Sequence, residues 1–171
     1  MGKAEHDIKL VICDSGPIIH LDELDSLILL EDFSEVFIPD AVWKEVEHHR
    51  PEAIKICKTI AKRISHKKLM SPKLKATVQL FSLHKGEIQA LKIVQEYNAD
   101  LFLTDDTAAR LAAGSLKITV HGTLGILLRA IRTGQRTKSE VLSVLNTLPQ
   151  KSTLHLKASL LRKIIKQVEE L

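Results

Sequence analysis

Cysteine is almost absent from this sequence, since its 171 residues contain only Cys13 and Cys57. Two cysteines cannot build the disulfide framework of a small secreted domain, so we expect a reducing, cytoplasmic location. The sequence holds no four-ligand zinc pattern of cysteine and histidine. The first residues lack the apolar core of a signal peptide, and no apolar run reaches the length of a membrane span. We therefore expect no membrane partner.

Aromatic residues are also scarce, at 4% of the chain. A stacking platform for single-stranded bases is therefore not expected. Neither sign of charge dominates, because 25 lysines and arginines against 21 acids give a net charge of +4. This mildly basic balance is compatible with nucleic-acid binding and does not by itself indicate it. A hydrophobic content of 44% is ample for the core of one domain.

Short apolar runs alternate with segments of helical periodicity along the chain. Strands are predicted at 8–13, 33–38, 101–103 and 117–120, with a minor strand at 63–65. Helices are predicted at 15–23, 24–31, 40–47, 52–63, 74–81, 85–97, 107–114, 123–132, 137–147 and 154–170, the last two separated by Pro149. Strands alternating with helices predict an α/β fold, a three-layer α/β/α sandwich with a parallel sheet of four to five strands.

Acidic residues follow two of the predicted strands. Asp14 follows the first strand, and Asp105 and Asp106 follow the strand at 101–103. Open α/β sheets bind ligands at the carboxyl ends of their strands, and carboxylates brought together there repel unless a cation joins them. Each acid also has a local interpretation, because Asp14 or Asp106 can cap the following helix and Asp106 can pair with Arg110.

Two glutamates and two hydroxyls complete the set of polar candidates. Glu45 lies inside a predicted helix, where a solvated face is the alternative, and Glu87 lies in a first turn that favours any acid. Ser15 and Thr104 can hold a metal-bound water or a phosphate oxygen, or can simply cap backbone groups. Because no histidine or cysteine ligand is predicted at the ends of these two strands, the sequence suggests neither a nucleophilic histidine nor a zinc mechanism.

Basic residues concentrate after the third predicted helix. Three of them recur at i, i+3 and i+7 on one predicted helix face, and three more extend the region: Lys55, Lys58, Lys62, Arg63, Lys67 and Lys68. They predict a contact with the phosphate backbone of a nucleic acid, with an ordinary solvated surface as the alternative. An apolar stripe on the last helix predicts core packing, or else a dimer face or a groove for a partner.

Five spaced segments together resemble the PIN-domain superfamily. They are the strand ending in Asp14-Ser-Gly-Pro and the segments 37–46, 85–91, 99–110 and 120–127. The likeness covers residues 8–135 and is closest to the branch with Gly-Glu before the central helix and Asp-Asp-x-x-Ala-Arg after the fourth strand. The resemblance implies a metal-dependent ribonuclease of the kind found as VapC-like toxins in toxin–antitoxin pairs.

The same resemblance implies the roles of individual residues. It makes Asp14, Glu45, Glu87 and Asp106 catalytic, and it places Mg²⁺ or Mn²⁺ on Asp14, Asp106 and Glu87, with Asp105 contributing through water. Carboxylate oxygens are the ligands that these hard cations prefer. The family commonly has aspartate where this chain has Glu87, so the longer side chain must fold back or act through water. The resemblance also implies an RNA substrate, a homodimer and an antitoxin partner.

We therefore predict a nuclease domain at 1–135 and a helical extension at 136–171 packed on it. The main alternative is a binding module for RNA or protein that keeps the fold and has little activity. A phosphatase or phospho-acceptor domain with an acidic pocket is disfavoured, because Gly16 and Pro17 stand where a second aspartate would follow Asp14.

Overall fold

The computed structural model describes residues 8–171, so the expectation about a signal peptide and the first seven residues of the predicted nuclease domain lie outside it. Within this range the strands form one parallel five-stranded sheet in the order β3-β2-β1-β4-β5. The strands are β1 Leu10–Cys13, β2 Glu35–Pro39, β3 Lys62–Ile64, β4 Leu101–Leu103 and β5 Val120–His121. The predicted sandwich with four to five parallel strands is confirmed.

Helices cover both faces of this sheet. In chain order they are α1 Ser15–Glu23, α2 Asp40–His49, α3 Pro51–Ile60, α4 Pro72–Phe81, α5 Lys85–Tyr97, α6 Thr107–Ser115, α7 Thr123–Arg132, α8 Lys138–Lys151 and α9 Ala158–Glu169, with a 3₁₀ helix at Leu27–Asp32. In the central strand β1, Val11, Ile12 and Cys13 are fully buried. Successive side chains of a strand point to opposite faces, so a strand buried on both sides separates two core layers.

The two core layers differ in the helices that supply them. Val11 and Cys13 pack in the larger layer, against residues of α1, α2, α3, α7, α8, α9 and the 3₁₀ helix. Ile12 packs with Phe102 in the smaller layer, against α4, α5 and α6. Both cysteines, Cys13 and Cys57, are buried and free. The loops that follow β1 and β4 at the carboxyl edge of the sheet therefore rest on rigid, buried strands.

Pro149 does not separate the last two helices as predicted, because α8 continues through it to Lys151. A proline inside a helix removes one backbone hydrogen bond, and here that loss falls in the last turn, where the helix is about to end. The connection to α9 is therefore the segment 152–157.

Several other boundaries differ from the prediction, and two of the differences involve basic residues. Helix α3 ends at Ile60 and Ala61 is extended, so Lys62 lies in β3, paired with Phe37, and does not share a helix face with Lys55 and Lys58. The last strand begins at Val120 because Lys117 has a left-handed backbone with φ of 59°, which no strand can accommodate.

The carboxyl-terminal helices belong to the larger core layer. Three residues from α8 and three from α9 lie in the same cluster as Val11: Val141, Leu145, Leu148, Leu161, Ile164 and Val168. Most of the apolar stripe on α9 is thus core packing, while Leu160 remains 44% exposed. The boundary at 135/136 stays a prediction. Across residues 8–171, no helix combines the length and the apolar character that crossing a membrane requires.

Candidate active site

The candidate site lies at the carboxyl edge of the sheet, where β1 and β4 are neighbours. Cys13 pairs with Leu103, and the backbone N–H of Asp14 donates to the Leu103 carbonyl over 2.9 Å. This register brings the residues after both strands to one place, as the sequence predicted. Five carboxylates line one pocket of about 520 Å³ there: Asp14, Glu45, Glu87, Asp105 and Asp106. Glu45 arrives from α2 and Glu87 from α5.

Asp14 is the most deeply placed of these acids, with 5% of its surface exposed. Its Oδ1 accepts a hydrogen bond from the Ser15 N–H over 2.9 Å, and its Oδ2 accepts one from Thr104 Oγ1 over 2.8 Å. Burial raises the pKa of Asp14 to about 6, against these hydrogen bonds and with the help of the charges on Glu87 and Glu45. Asp14 is therefore both the cap of α1 and a carboxylate whose ionised form lacks compensation.

Gly86 keeps a space open between two of the acids. A Cβ atom at Gly86 would lie 3.6 Å from Glu45 Oε2 and 3.9 Å from Asp14 Oδ1. Both oxygens therefore face the volume that a side chain at this position would fill. The other oxygen of Glu45 accepts a hydrogen bond from Ser15 Oγ over 3.1 Å, which ties the exposed end of Glu45 to the start of α1.

Glu87 and Asp106 occupy helix starts on the other wall of the pocket. Glu87 Oε2 accepts the N–H of His84 over 2.7 Å. Burial raises the pKa of Glu87, against that hydrogen bond and with the charge on Asp106 adding to the rise. Asp106 Oδ1 caps α6 by accepting the N–H of Ala109 over 2.8 Å. The local interpretation of Asp106 as a cap is thus correct, and the side chain still lines the pocket.

Asp105 is held differently from its neighbour Asp106. Its Oδ1 accepts the N–H of Thr123 over 2.8 Å, and its Oδ2 lies 2.6 Å from Thr123 Oγ1 and 2.8 Å from His20 Nδ1. Burial acts to raise the pKa of Asp105, but the hydrogen bonds with His20 and Thr123 outweigh it, and the pKa is lowered. Its predicted contact with a metal through water stays a prediction, and both of its oxygens already have partners.

Three histidines line the pocket, and none of them directly follows β1 or β4. They are His20 from α1, His84 before α5 and His155 from the segment between α8 and α9. His84 directly precedes the Lys85-Gly86-Glu87 motif, so its position in sequence could have revealed it. No sequence signal joins His20 to Asp105, because their contact spans 85 residues and exists only once α1 packs beside β4.

The segment 152–157 forms part of the pocket wall, which the sequence did not reveal. Thr153, Leu154 and His155 line the pocket. Glu23 at the end of α1 holds this segment, because its Oε2 accepts from Ser152 Oγ over 2.9 Å and from the Thr153 N–H over 2.7 Å. These bonds lower the pKa of Glu23 against the opposing effect of burial.

The donor set fits a hard divalent cation in its chemistry. The pocket offers carboxylate oxygens, which Mg²⁺ and Mn²⁺ prefer, and no thiol. The open space at Gly86 and the raised pKa of Asp14 indicate negative charge that the protein leaves uncompensated. Over residues 8–171, however, no three acidic, histidine or thiol side chains stand close enough together to hold one ion.

The six basic residues predicted to contact RNA lie away from this pocket, and none of them lines it. Several have acidic partners: Lys55 Nζ lies 2.7 Å from Glu52 Oε2, Lys62 Nζ lies 3.0 Å from Glu35 Oε1, and Arg63 pairs with Asp40. Such exposed pairs contribute little stability, but they reduce the positive charge that this surface presents.

A protein-family model described as a PIN domain matches residues 10–170. No curated protein matches the chain. The matched range begins at the first residue of β1 and runs through α9, so it includes every element that contributes to the pocket.

Proposed function

The chain belongs to the PIN-domain family, and from this premise we propose that it is a metal-dependent endoribonuclease that acts as the toxin of a toxin–antitoxin pair. PIN domains are usually nucleases and generally use divalent metals. One observation carries the proposal: acids from four separate parts of the chain meet in one pocket at the carboxyl edge of the sheet. Folding gains nothing from bringing like charges together, so the arrangement needs a functional reason.

We assign the cation, Mg²⁺ or Mn²⁺, to Asp14, Glu87 and Asp106, with Glu45 completing the catalytic set and Asp105 as the auxiliary acid. When bound, such an ion activates water and stabilises the charge that develops on a phosphodiester. Glu45 and Asp106 are exposed, so their side chains can turn inward without disturbing the core. Such movement would close a ligand set that the present side-chain positions leave open.

Two hydroxyl groups position the acids. Thr104 is fully buried and donates to Asp14 Oδ2, so it fixes the plane of that carboxylate. Ser15 donates to Glu45 through its hydroxyl and to Asp14 through its N–H, so it contacts two acids from different elements. The buried Asp14 is thereby preorganised, and its carboxylate need not rearrange when charge develops during the reaction.

Cleavage of a labelled mixed-sequence RNA tests the proposal. The wild type is expected to cut in Mn²⁺ or Mg²⁺ and to stop in chelator, and Asp106→Asn is expected to abolish cutting. Asparagine still caps a helix, so the variant should keep its fold. The matched control is Asp25→Asn, since the Asp25 side chain is 84% exposed and lies outside the pocket. Metal-dependent cutting that persists in Asp106→Asn would show that the assigned site is wrong.

Residues 8–171 contain no preformed three-ligand cluster, which favours one second candidate, a PIN-fold module that binds RNA or protein with little activity. Thermal unfolding separates the two. Stabilisation of the wild type by Mn²⁺ that is lost in Asp106→Asn supports a metal site even where the chosen RNA is not cut. Neither cutting nor any effect of metal on the unfolding temperature would favour the binding module.

The toxin role, the homodimer and the antitoxin partner are parts of the same proposal. The exposed Leu160 on α9 is one apolar residue that a partner could cover. Growth arrest by the wild type and not by Asp106→Asn would support the toxin role, and light scattering of the purified chain would report its oligomeric state. The two buried, free cysteines agree with the proposed cytoplasmic location.

A further inference from the structure

A second cavity of about 560 Å³ adjoins the acidic pocket. The two share Asp105, Thr107, Leu154 and His155 in their common wall. We call this second cavity the α6–α7 groove, because residues of α6 and α7 line it together with β5 and the segment before α9. A polymer bound across the acidic pocket can continue into the groove without leaving the protein surface.

The groove has the opposite charge character to the pocket. Arg110 and Arg132 line it, with His121 and His155, while Asp105 is its one carboxylate among residues 8–171. Asp105 already accepts hydrogen bonds from Thr123 and lies against His20, so its charge is compensated within the protein. A site for cations and a site for anions therefore stand side by side, as a metal-assisted reaction on a phosphate chain requires.

Arg110 lines the groove near Asp105, a residue that both cavities share. Its Nη1 donates to the Thr104 carbonyl over 3.2 Å, at the end of the strand that also delivers Asp105 and Asp106. A Cβ atom at Gly122 would lie only 3.1 Å from Nη1, so the glycine leaves room for the guanidinium. The residue is exposed, and within residues 8–171 this is the one hydrogen bond recorded for its five N–H groups. The others are available to a phosphate.

The remaining wall of the groove is aliphatic. Its apolar side chains include Leu124, Leu128, Leu156 and Leu160, the last 44% exposed. Such a wall can contact the faces of ribose and bases by van der Waals packing, without aromatic stacking. The groove thus combines cationic groups for a phosphate backbone with an apolar surface for the nucleosides attached to it.

We propose that the α6–α7 groove binds the single-stranded RNA segment next to the scissile phosphate, with Arg110 contacting the adjoining phosphate and Arg132 one farther along the strand. This inference rests on the proposed function, because it assumes that the RNA strand continues from the groove into the acidic pocket, where it is cut. It differs from the sequence-based prediction, which placed the backbone contact on the surface formed by Lys55, Lys58, Lys62, Arg63, Lys67 and Lys68. That surface lines neither cavity.

The test measures fluorescence anisotropy of a short labelled single-stranded RNA in chelator, where no cutting occurs. Arg110→Gln is expected to weaken binding roughly tenfold and to reduce the dependence of log Kd on log salt by about 0.7, the value for one phosphate contact. Arg110→Lys should keep most of the salt dependence. Arg162→Gln is the matched control, because Arg162 is exposed on α9, outside both cavities, and loses the same charge.

A second variant guards against a folding defect in Arg110→Gln. Leu160→Glu places a negative charge on the exposed apolar wall and leaves Arg110 intact, so it should also weaken binding severalfold. The proposal is overturned if Arg110→Gln, Arg132→Gln and Leu160→Glu all bind like Arg162→Gln. It is equally overturned if the wild type binds no RNA, or if only the double variant Lys55→Gln and Lys58→Gln loses affinity.

Binding in chelator separates this inference from the nuclease proposal. If the protein shows the expected binding pattern but cuts no RNA in Mn²⁺, the groove proposal is supported and the nuclease proposal is contradicted. If Arg110→Gln cuts RNA with the same KM as the wild type, the nuclease proposal is supported and the groove proposal is contradicted.

Discussion

Two aspartates that line the acidic pocket, Asp14 and Asp105, have opposite electrostatic environments. Asp14 receives two hydrogen bonds, lies near two other acids and has a pKa raised to about 6. Asp105 is bound by Thr123 and His20, and its pKa is lowered. Burial acts in the same direction at both, so the difference comes from the neighbours.

The contrast indicates different roles for the two aspartates, a chemical role for Asp14 and a structural role for Asp105. An acid whose charge is uncompensated stores free energy that a bound cation can release, whereas a compensated acid stabilises the fold. Asp105 joins the end of β4 to α1 and to the start of α7, and so sets the shape of the pocket. Asp14 has the electrostatic character expected of a ligand.

The largest expected effect distinguishes the two aspartates by activity. Asp14→Asn should lower RNA cleavage by at least about a hundredfold, because an amide is a poor replacement for a carboxylate beside a metal ion. Its free energy of unfolding should stay the same or rise, since the variant removes a buried charge near Glu45 and Glu87. Cleavage rates and urea unfolding of the same preparation measure both. Normal cleavage by Asp14→Asn would contradict the chemical role that distinguishes Asp14 from Asp105.

Stability in chelator should depend on pH in a way set by Asp14. Its pKa is higher in the folded state, about 6, than the ordinary 3.8, so the folded state holds the proton more tightly. Protonated Asp14 therefore contributes about 3 kcal/mol to the free energy of unfolding at pH values below its ordinary pKa of 3.8. This contribution is lost as pH rises through about 6. Asp105, with its lowered pKa, acts in the opposite sense and loses its contribution as pH falls.

Urea unfolding of the wild type and Asp14→Asn across this pH range checks the expectation. The variant should lack most of the loss near pH 6. Added Mn²⁺ should restore stability to the wild type at neutral pH, because it binds only the folded state. Identical pH profiles for the two proteins would mean that the charge on Asp14 costs the fold nothing.

Asp105→Asn should affect stability more than chemistry. The amide keeps one accepting oxygen for the Thr123 N–H but presents N–H groups toward Thr123 Oγ1 and His20. We expect a loss of about 2 kcal/mol in the free energy of unfolding. Cleavage per folded molecule should fall less than in Asp14→Asn. A stable Asp105→Asn protein without activity would instead place Asp105 among the metal ligands.

Adding a single methyl group at Gly122 or at Gly86 tests the same difference between Asp105 and Asp14. A Cβ at Gly122 would lie 2.4 Å from Asp105 Oδ1 and 3.3 Å from the Thr104 carbonyl, so Gly122→Ala should cost about 2 kcal/mol of stability. Gly86→Ala meets only Val42 closely, at 3.3 Å, and should change stability by less than about 1 kcal/mol. It should nevertheless weaken stabilisation by Mn²⁺, because its methyl group enters the space that Asp14 and Glu45 face. Thermal unfolding with and without Mn²⁺ measures both effects.

Local signals in the sequence were enough for the elements and the main acids. The periodicity at 85–97 and the buried strand at 101–103 match α5 and β4, and the predicted bounds of α1 and α7 agree with the structure. Pro149 misled the prediction because α8 contains this proline in its last turn and ends only two residues later. Lys62 was wrongly predicted to lie on the helix with Lys55 and Lys58, because it continues their helical spacing. In the structure Lys62 lies in β3 and pairs with Phe37 of β2.

The partners of the acids could not be obtained in the same way. His20 and Asp105 are 85 residues apart, and Glu23 and Thr153 are 130 apart. No pattern in sequence reports contacts of that kind, since each depends on how helices settle on the sheet. The α6–α7 groove is likewise visible only when Arg110 and Arg132 lie on neighbouring helices.

The sequence by itself determined the order of strands and helices, the layered fold and which acids follow the strands, because hydrophobic periodicity and strand ends are local properties. Only the tertiary structure decided which of those acids carries an uncompensated charge. Asp14 and Asp105 are the same residue type at the same kind of strand end. Hydrogen-bond donors and other carboxylates set their pKa values, and those neighbours come from distant parts of the chain.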